Sequence, residues 1–168
     1  PTWLIGLDYT PADDILLYAK YARGYRAGAI ASDVTAPFNY IDPEKVDTYE
    51  LGSKLTFHEG IGGIFNVAVF FNDFENKQLQ LGFNDNPADN IAVVPTAAPV
   101  NAGSSEIYGA ELEVAITPFD GFTLEGGYTW LQTEITEMPV FTVPPSSPYV
   151  ITGAQQEGDE LALSPENK

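Results

Sequence analysis

The chain contains no cysteine. That removes disulfide frameworks, thiolate metal sites and cysteine nucleophiles from consideration. Cations are scarce as well, with 7 Lys and Arg against 24 Asp and Glu in 168 residues and a formal net charge of −17. No Lys or Arg occurs between Lys77 and Lys168, while 13 of the acids fall in that stretch. Without a basic patch to neutralise phosphates, nucleic acid is excluded as a partner. His58 is the single histidine and sits beside Glu59 in a glycine-rich turn. Lacking other nitrogen or sulfur ligands nearby, it reads as a solvated turn residue and not as a metal ligand. Ser104-Ser105 has no evident base to activate a hydroxyl, so neither an enzyme nor a cofactor is expected.

Long apolar runs are also missing. The longest, Val67 to Phe71, lies between Asn66 and Asn72, far short of the roughly 18 residues of a membrane helix. The chain opens at Pro1-Thr2-Trp3 with no initiator Met or signal-like stretch, and is read as a segment of something longer. What is present argues for folding: 44% hydrophobic residues, with 10 Phe, 9 Tyr and 2 Trp, too apolar and aromatic for disorder.

The dominant pattern is alternation of period two, the signature of strands with two unlike faces. Ile5, Leu7 and Tyr9 alternate with Gly6 and Asp8, and the turn Pro11-Ala12-Asp13-Asp14 follows. Leu17, Ala19 and Tyr21 then oppose Lys20 and Arg26. Tyr49, Leu51, Leu55 and Phe57 oppose Thr48, Glu50, Gly52, Lys54 and Thr56. After a glycine-rich turn, Phe65, Val67, Val69 and Phe71 start a strand expected to run from Ile64 to Leu81, roughly 60 Å at ~3.3 Å per residue. Tyr108, Ala110, Leu112, Val114 and Ile116 oppose Glu111 and Glu113; the turn Pro118-Phe119-Asp120-Gly121 leads to Leu124, Gly126, Tyr128 and Trp130, which oppose Glu125. Three long loops are expected, Ala27 to Pro43, Gly82 to Ser104 and about Thr136 to Leu161, with a strand beginning at Lys168.

Short and long connections therefore alternate, as in an all-β, antiparallel up-and-down meander of about six strands. The strands exceed the five or six residues usual in soluble sheets. Aromatics near strand ends (Tyr9, Phe57, Phe122, Tyr128, Trp130) suit the interfacial girdles of a transmembrane barrel, whose apolar face meets lipid and whose polar face is wet. Asp85, Asn86, Asp89 and Asn90 offer oxygens of the kind Ca²⁺ uses, but turn formation accounts for them without a metal, as it does for Asp13-Asp14. Two other readings are compatible with the alternation: a passive porin-like barrel, and a soluble secreted β-protein binding glycans or calcium through acidic loops.

Several segments resemble one family. Leu17 to Gly28 (LYAKYARGYRAG) is similar to a barrel strand of TonB-dependent outer-membrane receptors, and so is Pro43 to Lys54 (PEKVDTYELGSK). Phe65 to Gln80 looks like the strand that follows; Asn101-Ala102-Gly103 with Tyr108 to Glu113 resembles another; and Gly158-Asp159-Glu160-Leu161 with Ser164 to Lys168 is like the lead-in to the next. The resemblance implies a 22-stranded outer-membrane barrel with short turns toward the periplasm, long loops outside and an N-terminal plug energised by the TonB complex. Residues 1–168 would be a partial barrel domain from its C-terminal half, without plug or C-terminal strand, since six strands are too few to close a barrel. It further implies active uptake of a scarce nutrient, most often a ferric siderophore, with cobalamin, haem or glycans as other ligands. Lys20, Arg26, Glu50, Lys54, Glu111, Glu113 and Glu125 are expected to face the lumen, and Arg26, at the loop end, is the best placed to pair with an anionic ferric chelate.

Overall fold

The computed structural model describes residues 1–168 apart from Thr35, Pro37, Glu59, Asp89 and Asn90. Eleven strands and no helix occur among the described residues. Six long strands form one antiparallel sheet in the order β1-β2-β5-β6-β9-β10: β1 (Trp3–Ala12), β2 (Ile15–Arg26), β5 (Glu44–Phe57), β6 (Gly62–Glu75), β9 (Ser104–Phe119) and β10 (Phe122–Glu137). Neighbours in the sheet are neighbours along the chain once the long connections are set aside, which is the expected meander.

Register assigns every side chain to a face, because alternate residues point to opposite sides. One rung of cross-strand partners runs Ile5, Tyr21, Tyr49, Phe71, Tyr108, Gln132, and the next Leu7, Ala19, Leu51, Val69, Ala110, Trp130. This is the apolar face, and much of it is open, with Leu7 71% and Leu51 59% exposed. An aromatic belt crosses it near the long connections. Trp3 meets Tyr21 edge-on at 4.5 Å, Tyr21 stacks on Tyr49 at 4.8 Å, Tyr49 lies 6.3 Å from Phe71, and Tyr108 lies 6.0 Å from Trp130. The belt descends two rungs from β1 to β10, the slant expected where strands tilt within a barrel wall. Beyond it comes a polar rung: Arg23, Asp47, Asp73, Glu106, Glu134, in which Arg23 forks onto Asp47. At the short-turn end sit Tyr9, Phe57 and the stacked pair Phe119–Phe122. Of the expected girdle residues, Tyr128 differs: it falls one rung inside the belt opposite Leu112, where its hydroxyl donates to Asn167.

The expected strand from Ile64 to Leu81 is two strands. β6 ends at Glu75, Asn76 takes a left-handed conformation (φ 53°), and the chain leaves the sheet. Asn tolerates that conformation better than most residues. The following apolar alternation belongs to β7 (Gln78–Asp85), which pairs with β8 (Thr96–Asn101) and β11 (Tyr149–Thr152) in a second sheet ordered β11-β7-β8. β3 (Ala29–Ile30) pairs with β4 (Tyr40–Ile41) in the first long connection. The three expected loops thus contain regular structure of their own.

They also contain the core. Val34 and Phe38 of the first connection, Leu81, Phe83, Ala98 and Val100 of the second, and Tyr149 of the third form one buried apolar cluster. Phe83 is fully buried, 5.3 Å from Phe38 and 6.0 Å from Tyr149 between ring centroids. The expected lead-in after the third connection follows β10: Leu161 donates its N–H to the Thr133 hydroxyl (3.0 Å), and Thr129 and Lys168 exchange two backbone hydrogen bonds of 3.0 Å. A bridge between Trp130 and Asn167 places the expected strand start beside β10.

Gly103 fixes the base of the second connection. It has φ +79°, and a Cβ there would collide with the Glu137 carbonyl. Gly103→Ala is expected to cost at least ~1–3 kcal/mol, because an unfavourable φ and a backbone clash act together. A guanidinium titration of the refolded protein checks it; a midpoint equal to that of the unmodified protein refutes it.

Candidate functional site

All seven sequence-expected residues lie on the second, polar face, because β2 and β5 pair in a register that sets Lys20 opposite Glu50, Leu16 opposite Lys54 and Arg26 opposite Glu44. Glu111 and Glu113 face the same way from β9, opposite Ala68 and Asn66 of β6. Glu125 follows on β10 opposite Ala115.

The structure joins some of these residues and separates others. Lys20 Nζ lies 3.0 Å from Glu50 Oε1 and 4.6 Å from the centre of the Tyr18 ring. A trough of about 520 Å³ runs across the middle of the face, lined by Tyr18, Lys54, Asn66, Glu111, Glu113 and Thr129. Asn66 donates to Glu113 Oε2 at 2.8 Å. Glu125 lies toward the short-turn end and Arg26 at the opposite end, so the seven do not converge on one point. Lys20, Arg26 and Lys54 lie on β2 and β5, and Lys168 lines the same trough beside β10, opposite Thr129, while Glu111, Glu113 and Glu125 have no cation directly across the strand pair.

Beside Arg26 lies a group that the sequence reading placed mid-strand. Lys77, in the turn after β6, holds Nζ 3.4 Å from the centre of the Phe74 ring, a cation–π contact. Burial pulls its pKa below the ordinary lysine value; the nearby Glu44 carboxylate opposes that shift, and Arg26 adds to it. Glu44 is itself buried and accepts the Gln78 backbone N–H at 2.7 Å. Arg26, Lys77 and Glu44 thus form a charged group where the polar face meets the long connections. The local signal was the Asn76-Lys77 pair, which the continued alternation hid.

The remaining candidates carry less. His58 Nε2 lies 3.3 Å from Asp14 Oδ1, both exposed in adjoining turns; Glu59 falls outside the described residues. Asp85 Oδ1 accepts the Val93 N–H at 2.9 Å, and Asn86 holds Ser147 and Ala88. Asp89 and Asn90, the other half of the calcium candidate, fall outside the described residues. Among the described residues no group of three His, Asp or Glu is arranged to hold a metal. Ser105 is fully buried, and its hydroxyl has no hydrogen-bond partner in the structure.

The family described as TonB dependent receptor-like, beta-barrel, matches residues 1–168. The chain belongs to that family. One relative of this receptor chain is the "Probable TonB-dependent siderophore receptor PiuA" of Acinetobacter baumannii, 27% identical over 143 residues. The match covers 81% of the receptor chain and 17% of the relative, so the chain spans about a sixth of that protein's length. No solved structure matches the receptor chain.

Proposed function

We propose that residues 1–168 are part of the barrel domain of an outer-membrane TonB-dependent receptor that takes up a scarce nutrient, a ferric siderophore in the first instance. The observation that carries this reading is the sheet's division into an open apolar face bounded by aromatics and a polar face bearing charge. On β5, Tyr49 to Phe57 spans about 26 Å along the strand at ~3.3 Å per residue. Tilted by ~40°, that is about 20 Å of height, near the ~25 Å apolar band of outer-membrane barrels. In this reading the apolar face meets lipid, the short turns face the periplasm and the long connections face outward. In a soluble protein another part of the molecule would have to cover this face, since soluble monomers expose contiguous apolar patches of only about a few hundred Å².

The polar face then lines the lumen. Lys20, Glu50, Lys54, Glu111, Glu113 and Glu125 form its wall, and Arg26 with Lys77 offers an anionic ferric chelate its first cations at the mouth. No covalent chemistry is required of the chain; the energy for uptake would come from the TonB complex through a plug domain. That the relative is a probable siderophore receptor supports this choice of nutrient over cobalamin, haem or glycans.

The full-length receptor, produced in an iron-starved strain with and without TonB, tests the proposal with radioiron complexes of tris-catecholate and tris-hydroxamate siderophores. Uptake of at least one complex that disappears without TonB is expected. Uptake that persists without TonB would make the protein a passive barrel, and no uptake of either would sink the siderophore assignment. Arg26→Ala is expected to weaken binding of the transported complex by about tenfold, the effect of losing one charge-assisted hydrogen bond of ~1.5 kcal/mol. An equilibrium titration on purified receptor reads it, and affinity unchanged within twofold removes Arg26 from the site.

A further inference from the structure

We infer that the three long connections form one preassembled, cooperatively folded lid, joined to the strand wall along a hydrogen-bonded seam. Its role as a lid rests on the receptor reading above; its being one body does not.

Three kinds of contact bind the connections together. β11 of the third connection is an edge strand of the sheet made by β7 and β8 of the second, with Val150 opposite Asn84 and Ile151 opposite Phe83. The apolar cluster draws side chains from all three, so no connection can leave without exposing the partners it covers. Polar contacts finish the join: the Asn86 N–H and side chain donate to Pro148 and Ser147 carbonyls at 2.9 Å each, and the Tyr149 hydroxyl donates to the Asp33 carbonyl at 3.4 Å.

The seam beneath is different in kind. Asn101 and Asp42 exchange two hydrogen bonds of 2.7 and 2.9 Å, Asn101 reaches the Asn76 carbonyl, and the Gln78 side chain reaches the Ala27 and Asp42 carbonyls, all at exposed positions. Less exposed bonds complete the seam: the Gln78 N–H donates to the buried Glu44 carboxylate at 2.7 Å, the Leu161 N–H donates to the Thr133 hydroxyl at 3.0 Å, and the Ile135 N–H donates to the Asp159 carbonyl at 2.9 Å. Opening the apolar cluster, by contrast, exposes side chains of all three connections at once.

The test is a cross-link in the unliganded full-length receptor. Asn84→Cys with Val150→Cys joins the second and third connections through cross-strand partners, whose spacing suits a disulfide. The reporter lies in the first: the Ala31 amide, which donates to the Asn39 carbonyl at 2.8 Å. Hydrogen exchange is compared between the oxidised and reduced forms of the double variant. Rapid cross-linking without ligand is expected, with exchange slowed at least tenfold in β7, β8 and β11 and at Ala31 alike, while β5 and β6 are unaffected. A cross-link that slows β7 and β11 but leaves Ala31 unchanged would show separate loops. Failure to cross-link without ligand would show that the connections are not preassembled. Neither readout involves transport, so an incorrect nutrient assignment leaves both intact.

Discussion

Val69→Arg is expected to destabilise the barrel in lipid by ~2–4 kcal/mol, while Ala68→Arg, one residue earlier on the same strand, leaves it nearly unchanged. Val69 sits on the apolar face between Leu51 and Ala110; Ala68 sits on the polar face between Gly52 and Glu111. If the apolar face meets lipid, an arginine near the middle of the band costs ~2–4 kcal/mol. The same charge at position 68 projects into a wet lumen beside Glu111, where it costs little and gains a carboxylate neighbour. Urea titrations of both full-length variants folded in bilayers measure the difference. A soluble protein whose apolar face was open to water would accept both, so equal stability of the two variants would overturn the membrane reading.

Phe83→Ala has an effect of similar or larger size in a different part of the chain. The side chain is fully buried and touches the rings of Phe38 and Tyr149, and truncating a buried phenylalanine typically costs ~3–5 kcal/mol. Because the cluster lies in the long connections and not within the six-stranded sheet, the loss is expected to be local. Limited proteolysis should cut the variant within residues 79–101 and 138–152 under conditions that spare the unmodified protein, while the six-stranded sheet stays intact. Resistance equal to that of the unmodified protein would show that the cluster contributes little.

Period-two alternation made the wall legible. Each assignment to one face or the other on β2, β5, β9 and β10 needed only parity, because a strand has two faces and a fixed repeat. The tight turns were legible too, since Asp13-Asp14 and Asp120-Gly121 suit sharp reversals and no other structure. The outer connections were not legible. Leu79, Leu81 and Phe83 alternate as β6 does, so nothing local marks the break except Asn76, and the partners of β7 lie about 20 and about 70 residues away in sequence. Pairing across such distances is decided by packing that sequence periodicity does not record. The candidate site divides along the same line. Lys20 with Glu50 follows from parity and register, whereas the group of Arg26, Glu44 and Lys77 depends on where the chain turns after β6.

Most fully buried apolar side chains among the described residues sit in the outer connections, and much of the wall's surface is open. That placement inverts the usual map of mutational tolerance. In ordinary domains loops accept insertions and exchanges readily, while the sheet resists them. Here the wall holds its shape mainly through backbone pairing, so on its open apolar face one apolar side chain can replace another at small cost. The long connections are the intolerant part: an insertion between 79 and 83 or between 97 and 101 would shift one row of a three-stranded sheet and reverse which side chains it buries. Sequence drift that preserves this structure should accumulate on the wall and at the Asp13-Asp14 and Asp120-Gly121 turns, leaving the long connections as the most constrained segments of the chain.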